Sequence, residues 1–204
     1  MEAVFCLCLQ YSIYSYINLS MLAVDFEQST VNDITETLDR LGLHRSADEL
    51  VVVGGAAMAA FGIKRLRETD LDIAVTESLL DHLKHDDRWT EAVSEKKVGP
   101  SIKSRKAGTA RIVGEDYCGV KTQPGDISAI RMPLNDGIYP VTTEELIKEG
   151  LPLGGGAYRY TKPQRILDWK LALLESNDHQ VDKEKHLKDA RRISHYLLTL
   201  ALGE

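Results

Sequence analysis

Residues 51–75 read VVVGGAAMAAFGIKRLRETDLDIAV. Leu50 to Val53 is a short β-branched run that ends in Gly54-Gly55. Such a run, uninterrupted by polar residues and closed by glycine, is the pattern of a strand buried on both faces. The small residues from Ala56 to Phe61 suit a helix, and Gly62 ends it. Leu71 to Val75 alternates as a second strand. The stretch predicts strand, short helix, strand, and with the segments on either side the outline is α+β: a helix, a mixed sheet and a C-terminal helical pair.

Chemistry concentrates in the same stretch. Two glycines let backbone approach a phosphate closely, and the start of the following helix offers free N–H groups. Asp70 and Asp72 stand two apart, so on a strand they share a face. Two carboxylates on one face repel unless a cation sits between them, and their hard oxygens suit Mg2+ or Mn2+. Phosphoryl and nucleotidyl transfer need metal-bridged oxygens of this kind. The competing structural role is a capped turn at a solvated strand edge. Lys64, Arg65 and Arg67 lie between the glycines and the acids. They read either as a solvated loop or as contacts to phosphates of a nucleotide or an RNA.

Outward from this stretch, Val31, Ile34, Leu38 and Leu41 recur at helical spacing, so 29–42 is expected to be a helix capped by Ser29 or Thr30 and ended by Gly42. Thr76 is expected to cap a helix carrying Leu79, Leu80 and Leu83, with His82 and His85 on its surface. From Arg88 to Met132 the pattern is strand-like, with strands expected near 109–113, 117–121 and 126–132. Thr142 and Glu145 form a capping box. Gly154-Gly155-Gly156 reads as a flexible connection. Thr161-x-x-Gln164 with Pro163 marks the start of a helix, and a last helix carries Leu187, Ala190, Ile193, Leu197 and Leu200. On the first of these two helices Ile166, Lys170, Leu173 and Leu174 share a face. A lysine on an apolar stripe needs a partner or an anion, unless it snorkels to water. Trp89 and Trp169 are expected to be core or partly buried.

The chain has 204 residues, 43% hydrophobic and 27% charged, with 25 Lys and Arg against 31 Asp and Glu, a formal charge of −6. That composition excludes a disordered or collagen-like chain and allows a real core. A net acidic chain is not coated in basic surface, which argues against strong non-specific nucleic-acid binding. The cysteines are Cys6, Cys8 and Cys118. Their odd number and spacing fit neither a disulfide framework nor a zinc ribbon, and Cys118 reads as a packed residue. A reducing, cytoplasmic setting is expected. Residues 1–24 are apolar and aromatic with one charge, Glu2. They lack the basic start of a signal peptide. Three readings stay open: an extension ahead of a start at Met21, a packed strand or helix, and a membrane segment diluted by Gln10, Ser12, Ser15, Asn18 and Ser20. No stable membrane association is expected.

Gly54-Gly55, the short helix and Arg67-x-Thr69-Asp70-x-Asp72 resemble the signature of the nucleotidyltransferase superfamily with the polymerase-beta-like fold. The double glycine with R-x-T-D-x-D is similar to the AbiEii-type nucleotidyltransferases, which include toxins of type IV toxin–antitoxin systems. The resemblance covers about residues 30–200 and is carried by 51–75. It implies a nucleotidyltransferase core over 25–140 and a C-terminal helical segment over 141–204 packed on that core; residues 1–24 stand apart from it as an N-terminal extension whose three readings stay open.

The resemblance also implies roles. Gly54, Gly55, Arg67, Thr69 and Lys170 would bind the nucleotide. Asp70 and Asp72 would hold Mg2+ or Mn2+ together with a third acid, for which Asp126 is the best match and Asp116 the alternative. Lys170, in Ile166-Leu167-Asp168-Trp169-Lys170, matches the family's lysine on one helix, and Lys188-Asp189 matches its K-D pair on the next. Asp189 would pair with Lys170 or position an attacking hydroxyl; the bland alternative is an ion pair with Arg192. The implied activity moves an NMP group from an NTP to an acceptor hydroxyl of tRNA or protein, with a cognate antitoxin as a possible partner. The alternatives are an antibiotic nucleotidyltransferase of the aminoglycoside or lincosamide type, and a non-catalytic nucleotide-binding module.

Overall fold

A computed structural model describes residues 26–66, 71–86, 89–91, 112–114, 127–130, 132, 139–176 and 182–203. Expectations that fall on residues 1–24, on the strand near 117–121 and on Cys118 lie outside them. Thirteen residues form the first described helix, α1 (Gln28–Arg40), followed by a 3-10 segment (Leu43–Glu49) and strand β1 (Leu50–Val53). Helix α2 (Gly54–Ala60), β2 (Leu71–Val75) and α3 (Glu77–Leu83) come next. Then follow β3 (Trp89–Glu91), β4 (Ile112–Gly114), β5 (Ile127–Ile130), α4 (Thr143–Glu149), β6 (Leu151–Pro152), β7 (Arg159–Tyr160), α5 (Pro163–Glu175) and α6 (Lys183–Leu202). The fold is α+β, as expected: a mixed sheet ordered β3-β4-β5-β2-β1-β7-β6 with flanking helices.

β1 is antiparallel to β2 and parallel to β7, and β2 is parallel to β5. Every residue of β1 is buried. Leu50 and Val52 face one core, with Leu71, Ile73 and Val75 of β2, Ile34 and Leu38 of α1, Ile166 of α5 and Ile193 of α6. Val51 and Val53 face the other, with Ala74, Ile130, Tyr139 and Leu146. Burial on both faces is why this strand needs apolar residues at every position rather than at alternate ones. α2 is buried throughout, and its run of alanines lets it pack closely under the sheet.

Some local expectations change. Glu27, not Ser29 or Thr30, is the N-cap of α1, without a side-chain cap. Its amide instead donates to the Ala60 carbonyl at 2.7 Å, which ties the start of α1 to the end of α2. Gly154-Gly155-Gly156 is not a loose connection but the bend between β6 and β7. The Gly156 amide donates to the Leu153 carbonyl at 3.0 Å. Gly154 and Gly155 have φ of 60° and 71°, the left-handed region in which glycine is favoured. α5 does start at Pro163, but its N-cap is Lys162. Thr161 continues the sheet instead, its amide donating to the Val52 carbonyl at 2.9 Å. Leu187 is 42% exposed rather than packed. The caps at Thr76 and the Thr142–Glu145 box form as expected.

The bend between β6 and β7 is fastened to α1. Tyr158 is buried and its hydroxyl donates to Asp39 Oδ1 at 2.6 Å. Burial and the neighbouring carboxylate push the Tyr158 hydroxyl pKa upward. Tyr158→Phe is expected to cost about 1 kcal/mol, the net worth of one such hydrogen bond. Urea unfolding followed by circular dichroism reads it, and an unchanged midpoint would show that the bond contributes nothing.

Candidate functional site

Two groups of the expected residues are brought together. The first lies where β1 ends. Val53 pairs with Asp72 across the β1–β2 ladder. Strand alternation puts Asp72 on the face of Ala74, away from Leu71 and Ile73. The next residue, Gly54, has φ of 59°. A Cβ at Gly54 would lie 3.6 Å from Asp72 Oδ2, so the carboxylate sits directly against the glycine. A side chain would be strained there by φ, and its Cβ would be in van der Waals contact with the carboxylate. Gly54 and Gly55 are buried, and Asp72 is half-buried. Arg67, Thr69, Asp70, Asp116 and Asp126 lie outside the described residues. Among the described residues no three His, Cys, Asp or Glu side chains form a metal-binding group.

The second group joins α5, α6 and the segment after α2. Lys170 Nζ lies 3.3 Å from Asp189 Oδ2, and Lys64 Nζ lies 3.7 Å from Asp189 Oδ1. Their side chains are 9%, 6% and 4% exposed for Lys170, Lys64 and Asp189. Lys170 is therefore buried and paired rather than snorkelled. Lys64 is no solvated loop residue, whereas its neighbour Arg65 is exposed. Lys170 Nζ is also 3.3 Å from His186 Nδ1 and 5.8 Å from the ring centre of Trp169. An ammonium only donates, so Nδ1 must accept, which fixes the proton of neutral His186 on Nε2. Trp169 is half-buried and stacks on Tyr139 at 6.5 Å with 14° between the planes. Lys188 is exposed.

Burial lowers the pKa of Lys170, and Asp189 opposes that shift. Burial, then the charge of Lys170, pushes His186 down from 6.5 to about 4. The unfolded chain therefore binds a proton at His186 between about pH 6.5 and 4 that the folded chain does not. Stability is expected to fall as pH drops through that window, with a shallower fall in His186→Leu. Urea midpoints at several pH values test this, and parallel curves for the two chains would refute it.

Asp189 was legible from its resemblance to the K-D pair, but two members of its cluster were not. His186 stands three residues before Asp189, hence on the same helix face, and that spacing was the available signal. Lys64 was read as one of a basic cluster, but nothing in the sequence marks its pairing with Asp189, because its approach to α6 depends on how the chain turns after α2. Lys64 and Asp72 each make further interactions. No helix among the described residues is long and apolar enough to cross a membrane. Comparison with family models, curated proteins and solved structures finds no match.

Proposed function

We propose that the chain is a metal-dependent nucleotidyltransferase of the polymerase-beta-like type, moving an NMP group from an NTP to an acceptor hydroxyl. The observation that carries this reading is the Asp72 carboxylate lying against Gly54, 3.6 Å from where a Cβ would stand, at the end of β1. A strand that delivers a positive-φ glycine beside a carboxylate has both elements of a nucleotide site: backbone a phosphate can approach, and a hard oxygen ligand. The sheet order, with β2 between antiparallel β1 and parallel β5, is compatible with that fold.

Asp72 suits Mg2+ or Mn2+ by its oxygen donors and half-buried position, with Asp70 and Asp126 as the further ligands suggested by the sequence. Bound divalent metal would offset the negative charge of the donor's phosphate oxygens. Gly54, Gly55, Arg67 and Thr69 bind the nucleotide. Lys170 faces Asp189 as an ion pair and His186 through one N–H, which leaves an N–H donor for a phosphate oxygen. The acceptor oxygen bonds to the α-phosphorus in line as the bond to pyrophosphate breaks, and the hydroxyl proton passes to water. A tRNA or protein hydroxyl is the acceptor, and a cognate antitoxin is the partner this reading calls for.

The test is incubation with each NTP labelled at the α-phosphate, Mg2+ and total bacterial RNA or lysate. Label is expected in macromolecular material, and EDTA should prevent it. Absence of transfer from all four NTPs would overturn the proposal.

A further inference from the structure

Four polar side chains meet, with Lys64, Lys170 and Asp189 nearly shut off from water and His186 half-buried. Lys170 comes from α5, His186 and Asp189 from one face of α6, and Lys64 from the segment that follows α2. Asp189 gives one oxygen to each lysine, 3.7 Å to Lys64 and 3.3 Å to Lys170. The ammonium of Lys170 is held a second time, by Nδ1 of His186 at 3.3 Å. A single ion pair would leave both partners free to turn about their long side chains. Asp189 Oδ2 meets Lys170 as an ion pair and not as a hydrogen bond, and contacts at both ends restrict that freedom.

The chemistry assigns direction to each contact. Lys64 and Lys170 have only donors, Asp189 only acceptors, and His186 must present a lone pair at Nδ1. The imidazole is kept neutral by its burial and by the charge of Lys170, with Lys185 acting in the same sense and Asp189 and Asp182 against it. Lys64 adds its charge to the field at Lys170, as does Lys185. The cluster is thus two cations, one anion and one neutral acceptor, and its order runs Lys64, Asp189, Lys170, His186.

We propose that Lys64 and His186 are positioning residues for nucleotidyl transfer, fixing the Lys170–Asp189 pair from its two ends. The inference rests on the transfer reading above and goes beyond it in naming two residues outside the motifs that suggested that reading. Neither touches the reacting atoms. Each acts by restricting where the Lys170 ammonium and the Asp189 carboxylate point, and small displacements of such groups cost large factors in rate.

The experiment uses the full chain and pairs of substitutions. His186→Leu removes the acceptor, whereas His186→Asn keeps one near the place of Nδ1. Lys64→Met removes the cation, whereas Lys64→Arg keeps it. His186→Leu and Lys64→Met are expected to lower kcat for NMP transfer by about tenfold to a hundredfold, with KM for the NTP changed by less than about twofold. The Asn and Arg variants are expected to recover most of that loss. If His186→Leu does not fold, the Lys64 pair decides. Nitrogen-15 NMR of the imidazole supplies a readout independent of activity. Nδ1 of His186 should be unprotonated in the wild type, and Lys170→Met should return its titration toward the ordinary histidine range. Wild-type kcat in both truncating variants, or no recovery in either conservative one, would overturn the positioning role alone. A wild-type chain inactive with every NTP would overturn the transfer reading on which it rests.

Discussion

Asp72→Ala is expected to abolish transfer of label from NTP, by a factor on the order of 10³ or more, while the protein stays folded. The carboxylate is a half-buried group at the end of β2, against Gly54, and it is not part of either apolar core. Its removal leaves no large cavity, and the pairing of Val53 with residue 72 is made by backbone. The cost to stability is expected to be about 1 kcal/mol, the worth of one polar contact. Mg2+ should raise the melting temperature of the wild type in the presence of NTP and should not raise that of Asp72→Ala. Unchanged incorporation in the variant would sink the proposed role of Asp72. Asp72→Asn, which keeps shape and loses charge, separates loss of the ligand from loss of packing.

Asp189→Leu is expected to be the most damaging single change to stability, by about 3–5 kcal/mol. Lys64 and Lys170 would then face each other without the carboxylate that now lies between them, 3.7 Å and 3.3 Å from their ammonium groups. Lys170→Met should cost less, because Asp189 keeps Lys64 as its counter-ion. The pH dependence follows from the same charges. Lys170, buried and without that anion, would have a pKa below that of the unfolded chain, so the unfolded state binds more protons and stability rises with pH. Asp189→Leu should therefore recover part of its loss as pH rises toward the ordinary lysine range. Urea midpoints read both effects. A loss under about 1 kcal/mol, or a larger loss in Lys170→Met, would show that the pair is not held as a buried unit.

How far the sequence could be read depended on the range of the physics involved. β1, β2 and the Thr142–Glu145 box are local patterns, and they were legible because β-branched runs and caps are decided within a few residues. The burial of Val31, Ile34, Leu38 and Leu41 was legible for the same reason. Caps that compete with a tertiary partner were not. Thr161 has the chemistry of a cap, yet its backbone continues the sheet beside Val52. Glu27 lacks a cap's side-chain bond, and its amide is satisfied by Ala60. The triple glycine carried a turn signal between two short strands, but the strands are two residues each and too brief to register as alternation. In the candidate site, Gly54, Asp72, Lys170 and Asp189 were legible as motif members. The pairing of Lys64 with Asp189 was not, since it depends on a fold-level return of the chain rather than on spacing.

Strand β1 has a further consequence for how the chain is made. β1 is an interior strand of the sheet, yet its parallel neighbour β7 comes from residues 159–160. More than half the polypeptide must leave the ribosome before Leu50–Val53 can be enclosed on both edges. Contacts so distant along the chain slow folding, and an unpaired run of valines is a template for association with another nascent copy. Chains interrupted before residue 159 should therefore accumulate as aggregate, and the last quarter of the sequence decides whether the first quarter stays out of it.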